Sequence, residues 1–100
     1  MEGKKIEMST DLLIWKSFLK GDKKAFYVIY KQQLPSLFKY GLNFTNDKDL
    51  IKDCIHDVFV YIYTHRSNLN ETNNIRLYLL KALKNSIIKA VSEQKKYLPI

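Results

Sequence analysis

Cysteine, glycine and proline are scarce in this chain, with one Cys, three Gly and two Pro among one hundred residues. A lone thiol, Cys54, cannot close an internal disulfide, which excludes a disulfide-stapled secreted scaffold and fits a reducing cytoplasm. Lying inside an apolar helical pattern, Cys54 reads as a small buried residue rather than a reactive thiol. So few glycines and prolines, with most β-branched residues falling in helix-period patterns, argue for an all-α chain. No apolar run approaches a membrane span, and Met1-Glu2-Gly3-Lys4-Lys5 lacks the apolar region of a signal peptide, so no membrane insertion is expected. No Ser/His/Asp set, phosphate-cradling glycine loop or paired metal motif is visible. An enzyme is therefore not expected, and neither is a cofactor or a metal. Acidic residues are also few, ten against seventeen basic ones, which leaves a net charge of +7.

What is present is a compact domain's worth of apolar sequence and a cationic end. A hydrophobic fraction of 46% is ample for folding, and one hundred residues make one domain. A pI near 9.5 favours a polyanionic partner. The charge is concentrated. Arg76, Lys81, Lys84, Lys89, Lys95 and Lys96 stand against Glu93 alone between Asn73 and Ile100. The same stretch has a helical apolar pattern, Ile75, Leu79, Ala82, Leu83, Ile87, Ala90 and Val91, so its cations ride on a folded helix. A cationic helix face attached to a core is the usual footprint of nucleic-acid binding.

Four helical segments separate. The first runs from about Thr10 to Leu19, capped by Ser9 or Thr10, with Gly21 closing it. The second runs from Lys23, behind Asp22, to about Phe44, with a kink or local break expected at Pro35. The third starts at Asn46 or Asp47 and reaches about His65 or Arg66, along the stripe Ile51, Ile55, Val58 and Ile62. Ser67 to Asn74 is an ordered polar loop rich in capping residues. The fourth runs from near Asn74 to about Lys95, and Pro99 marks an end or a linker. Long amphipathic segments on short loops make a compact bundle of about four helices. Trp15, Phe18, Phe26, Tyr30, Phe38, Phe59 and Tyr63 fall at core spacing.

Three local patterns combine into something more specific. Gly21-Asp22-Lys23-Lys24-Ala25-Phe26-Tyr27-Val28-Ile29-Tyr30 resembles the Gly-Asp-x-x-Ala-Phe-x-x-Leu-Tyr entry to region 2 of bacterial sigma factors. Asp49 to Phe59 is similar to the Ala-Glu-Asp-x-x-Gln-Asp/Glu-x-Phe segment, with His56 where the family has Gln. Tyr78-Leu79-Leu80-Lys81-Ala82-Leu83-Lys84-Asn85 looks like the Tyr-Leu-x-x-x-x-Arg/Lys-Asn segment. The order and spacing resemble the extracytoplasmic-function (ECF) group of the sigma-70 family. Lys89 and Ser92 stand near positions where that family often has Asp and then Arg.

The resemblance implies a region 2 helical domain over residues 1–95 and the start of a linker at 96–100. The region 4 helix-turn-helix domain is absent from this chain, for which truncation is the favoured reading. It also implies a sigma factor for transcription initiation that binds core RNA polymerase and recognises and melts the promoter −10 element. Its implied partners are the polymerase β′ clamp helices, the −10 non-template strand and an anti-sigma factor. The alternatives are a nonspecific basic DNA-binding bundle and an interaction module for an acidic regulator.

The residues suggest how two partners would be met. Asp49, Asp53, His56 and Asp57 share the polar face of the third helix, opposite its apolar stripe. By resemblance that face meets the polymerase, where complementary charge would fix register. Asp53 and His56 also have a metal-like spacing, but no second ligand motif accompanies them. In the family, the loop before the fourth helix forms part of a pocket for a base extruded from the −10 strand. Asn70, Asn73, Asn74 and Asn85 supply amides that can both donate and accept hydrogen bonds. Asn73 and Asn74 also suit N-capping, whereas Asn85 sits mid-helix at the family's Asn. Tyr78 can stack on a base, an interaction worth about 1–3 kcal/mol, or belong to the core. Arg76, Lys81, Lys84 and Lys89, with Lys95 and Lys96, suit phosphate contacts. They do not all fall on one narrow stripe.

Overall fold

The structure, a computed structural model, describes residues 9–96, and side chains as far as residue 94. The side chains of Lys95 and Lys96 and the expected linker at 97–100 lie outside the described residues. The described part is all-α: α1 (Thr10–Leu19), α2 (Lys23–Gly41), α3 (Lys48–Thr64) and α4 (Ile75–Lys96), with a short 3₁₀ turn at Arg66–Asn68.

Each helix begins where a short polar side chain can take up orphan amides. Ser9 Oγ accepts from Leu12 N–H at 3.0 Å, Asp22 Oδ1 from Lys24 N–H at 2.9 Å, and Asp47 Oδ1 from Leu50 N–H at 3.0 Å. Gly21 joins α1 to α2 at a φ of +100°, a conformation that a side chain would strain.

Pro35 does not break α2, which runs through it as a single helix. Proline deprives the carbonyl four residues back of its donor. Here that carbonyl belongs to Lys31, and both residues are exposed, so water can take the place of the missing donor. The helix ends three residues before the expected Phe44 because Asn43 and Phe44 N–H groups bond three residues back, to Tyr40 and Gly41 carbonyls at 3.0 Å each. That tighter turn closes the helix.

The core is built from one stripe of each helix. Trp15 and Phe18 come from α1, and Ile29 and Leu37 from α2. α3 contributes Ile51, Ile55, Val58 and Ile62, and α4 contributes Ile75, Leu79, Leu83 and Ile87. The α4 set steps by four residues throughout, which keeps the opposite side of that helix free for its cations. Cys54 is buried among them. Of the expected core aromatics, Trp15, Phe18 and Phe59 are buried and Phe26, Phe38 and Tyr63 half-buried. Tyr30 is exposed instead, its ring edge-on to Phe59 in the seam between α2 and α3.

Candidate nucleic-acid interface

α4 presents its polar residues on two flanks of the buried stripe. On the α3 flank, Tyr78, Lys81, Asn85 and Lys89 line an open groove of about 720 Å³, facing Asp57 and Tyr61 across it. The spacings of three and four put these side chains one above another along the helix. Lys84, adjacent to Asn85, is exposed on a different side. Arg76 turns towards α2, where its Nε–H donates to Gln33 Oε1 at 3.3 Å. The expected cations thus divide, with Lys81 and Lys89 lining the groove and Arg76 held against α2.

Tyr78 is half-buried, standing between the core and the groove. Its ring centroid lies 4.9 Å from that of Trp15, while its side chain also lines the α3/α4 groove. Burial pushes the Tyr78 phenol above its ordinary 10.0, with Tyr61 adding a smaller upward push. Across the groove, burial raises the Cys54 thiol above its ordinary 9.0. A hydrogen bond with Ser86 partly offsets that rise, and Asp57 and Asp53 reinforce it. In both groups the folded chain holds the proton more tightly than the unfolded chain. Their contribution to stability is therefore complete below the ordinary values and lost as pH rises through the shifted ones. We expect the thermal midpoint to fall above about pH 9, and Cys54→Ala and Tyr78→Phe each to flatten that alkaline limb in melts across the range.

The loop leading into α4 is fixed from several directions. Trp15 Nε1–H donates to the Asn70 carbonyl at 2.9 Å, and Leu69 packs against the core. Thr72 Oγ1 accepts from Asn74 N–H at 3.0 Å. Asn74 Oδ1 accepts from Leu77 N–H at 3.0 Å, so Asn74 is the N-cap of α4. Asn70 and Asn73 have exposed side chains. A second amide of this terminus is bound from outside the loop: Asp11 Oδ2 accepts from Ile75 N–H at 2.9 Å. Asp11, Gln32, Gln33, Asn74 and Arg76, all polar, line a pocket of about 580 Å³ at this end of α4.

Asp49, Asp53, His56 and Asp57 are all exposed along α3, away from its buried stripe. They span a broad face. His56 borders two apolar hollows in the α2/α3 seam, of about 420 and 520 Å³, while Asp57 borders the α3/α4 groove. Among the described residues no group of three or more His, Cys, Asp or Glu side chains could hold a metal ion.

Sequence reasoning missed Asp11 and Gln33. Asp11 has no local signature, because its partner is 64 positions away. Gln33 does have one: α2 buries Ala25, Ile29, Gln33, Leu37 and Gly41, a ladder of four-residue steps with a polar residue at its centre. A buried amide needs a partner, and Arg76 supplies it.

α4 thus carries cations and one groove-lining amide, Asn85, while the preceding helix, α3, carries exposed carboxylates. The sequence pattern of sigma-70 region 2 matches residues 29–97, and the chain belongs to that family. It is thus a sigma-factor domain of transcription initiation, a family that engages core RNA polymerase and promoter DNA and is not one of enzymes. Comparison with curated proteins and with solved structures returned no match. No helix among the described residues is long and apolar enough to cross a membrane.

Proposed function

We propose that this chain acts as an ECF-type sigma factor in the cytoplasm, with residues 1–95 as its region 2 domain. It docks on the β′ clamp helices through α3 and captures the −10 non-template strand with the Ser67–Asn74 loop and α4. The observation that carries this reading is the alignment of Tyr78, Lys81, Asn85 and Lys89 along one groove. Lysines suit phosphates, the tyrosine suits a base face and the asparagine suits a base edge, which are the three contact types that single-strand capture needs. Asp49, Asp53 and His56, with Asp57 where their face meets the groove, supply a second surface that carries carboxylates, as docking on a cationic partner helix requires. An anti-sigma factor would inhibit by covering either surface.

The test takes one variant from each surface. Asp53→Arg is expected to weaken binding to a clamp-helix fragment by about tenfold or more (~1.4 kcal/mol), through like-charge contact. Asn85→Ala is expected to reduce the preference for a −10 strand over a scrambled strand while leaving the salt slope unchanged, since no phosphate contact is lost. Unchanged clamp affinity would remove the docking assignment. Equal affinity of the wild-type chain for every strand would favour a nonspecific basic binder.

A further inference from the structure

α1 reaches the loop before α4 by more than its apolar face. Asp11 bonds the first amide of α4, Trp15 bonds the Asn70 carbonyl, and the Lys16 ammonium lies 3.9 Å from Glu71 Oε2. Residues 11 and 15, four apart, share one side of the helix, and Lys16 stands at its partly exposed edge. One side of α1 thus grips the segment from Asn70 to Ile75 at both ends. α1 also lies wholly outside the span 29–97 that matches the family, so nothing in that match accounts for these contacts.

The three contacts differ in weight. The Lys16–Glu71 pair is solvent-exposed and contributes little. Trp15 is fully buried, so its indole N–H must find an acceptor inside the protein, and the Asn70 carbonyl is that acceptor. Asp11 is half-buried and makes a charge-assisted bond to a helix N-terminal amide, the stronger kind of cap. Between the 3₁₀ turn and α4 no backbone ladder holds the loop, so these two bonds, together with Leu69 packing and the Thr72 and Asn74 side-chain bonds within it, set where Asn70, Asn73 and Asn74 stand.

We infer that α1 is a positioning element for the DNA-reading loop, with Asp11 and Trp15 as its positioning residues. This rests on the reading of that loop as a single-strand reader. Asp11 holds the N-terminus of α4 and walls the polar pocket beside Asn74 and Arg76. Gln33 fixes the Arg76 guanidinium at the same pocket. Tethering both ends lets the loop meet a base without first paying the entropy of ordering itself.

The experiment compares the full chain with Asp11→Ala, Asp11→Asn and Trp15→Phe by two readouts. The first is amide hydrogen exchange without DNA. Asp11→Ala is expected to speed exchange at Ile75 and across the loop by about tenfold or more, beyond any change at Leu83 in the core. Trp15→Phe is expected to do the same at the loop's Asn70 end, and Asp11→Asn, which keeps an oxygen acceptor, to restore most of the protection. The second is the affinity ratio between a −10 strand and a scrambled strand, expected to fall about tenfold in Asp11→Ala with the salt slope unchanged. Loop exchange that follows the core in every variant overturns the bracing. Faster loop exchange with an intact affinity ratio overturns its link to reading. A wild-type chain with no strand preference overturns the reader assignment itself, and loop exchange alone then decides whether α1 braces the loop.

Discussion

Trp15→Ala is expected to lower the unfolding free energy by about 3–5 kcal/mol, the usual cost of deleting a buried aromatic. The indole is fully buried, 5.1 Å from the Phe18 ring and 4.9 Å from that of Tyr78 by centroid. Its removal opens a cavity under two other aromatics and unties α1 from the Asn70 carbonyl at once. A domain of this size has roughly 5–15 kcal/mol of stability, so the loss is a large share of the whole. Urea denaturation followed by circular dichroism measures it. A loss below about 1 kcal/mol would mean that α1 lies outside the cooperative unit. Trp15→Phe separates the two effects, because the ring stays while the indole donor goes.

Much of this fold is legible in the sequence because its helix starts are local. Ser9, Asp22, Asp47 and Asn74 each accept from an amide two or three residues on, so the cap and the helix it begins are read together. The apolar stripes of α3 and α4 follow the helical period closely enough to pick out Ile51, Ile55, Val58 and Ile62, then Ile75, Leu79, Leu83 and Ile87. Pro35 shows why a local rule does not decide alone, since the helix is not broken there. Its effect depends on whether the freed Lys31 carbonyl can reach water, and that depends on which side of α2 faces out.

The site is legible in part, for the same reason. Tyr78, Lys81, Asn85 and Lys89 can be grouped from spacing alone. That Asp57 and Tyr61 form the opposite bank of their groove cannot, because the angle and offset of α3 against α4 are set by packing. Arg76 reads as a free phosphate ligand until the fold brings Gln33 to its Nε. Asn74 reads as either a cap or a reader, and the bond to Leu77 N–H engages its carbonyl oxygen, leaving the amino group for any further role. The segregation of charge also has a packing cause. α4 buries only a narrow four-step stripe, so it can carry cations on both flanks, while α3 buries a wider face that includes Leu50, Cys54 and Phe59 and confines its carboxylates to one side.

Gly41 stands on the same four-step ladder as Gln33, but its spacing does not reveal that it sets how closely three helices approach. A Cβ built there would stand 2.7 Å from Ile51 Cγ2, 3.2 Å from Ile51 Cγ1 and 3.3 Å from Ile87 Cδ1. The first distance is shorter than side chains tolerate, and both neighbours are β-branched, fully buried and unable to swing away. Gly41→Ala would by itself favour the helix by up to about 1 kcal/mol. Overpacking at such a site costs about 1–3 kcal/mol, so we expect net destabilisation. Gly41→Val, with two further methyl groups and no more space, is expected to reach or exceed the upper figure. The decisive measurement is a double-mutant cycle with Ile51→Ala, which removes both of the nearest atoms. The two costs are expected to fall well short of additive, because each change relieves the strain or the cavity created by the other. Additive costs, or a Gly41→Ala chain as stable as wild type, would show that α2 can move away from α3 and α4. The groove that holds Tyr78 and Asn85 would then not be held at a fixed width by the helix behind it.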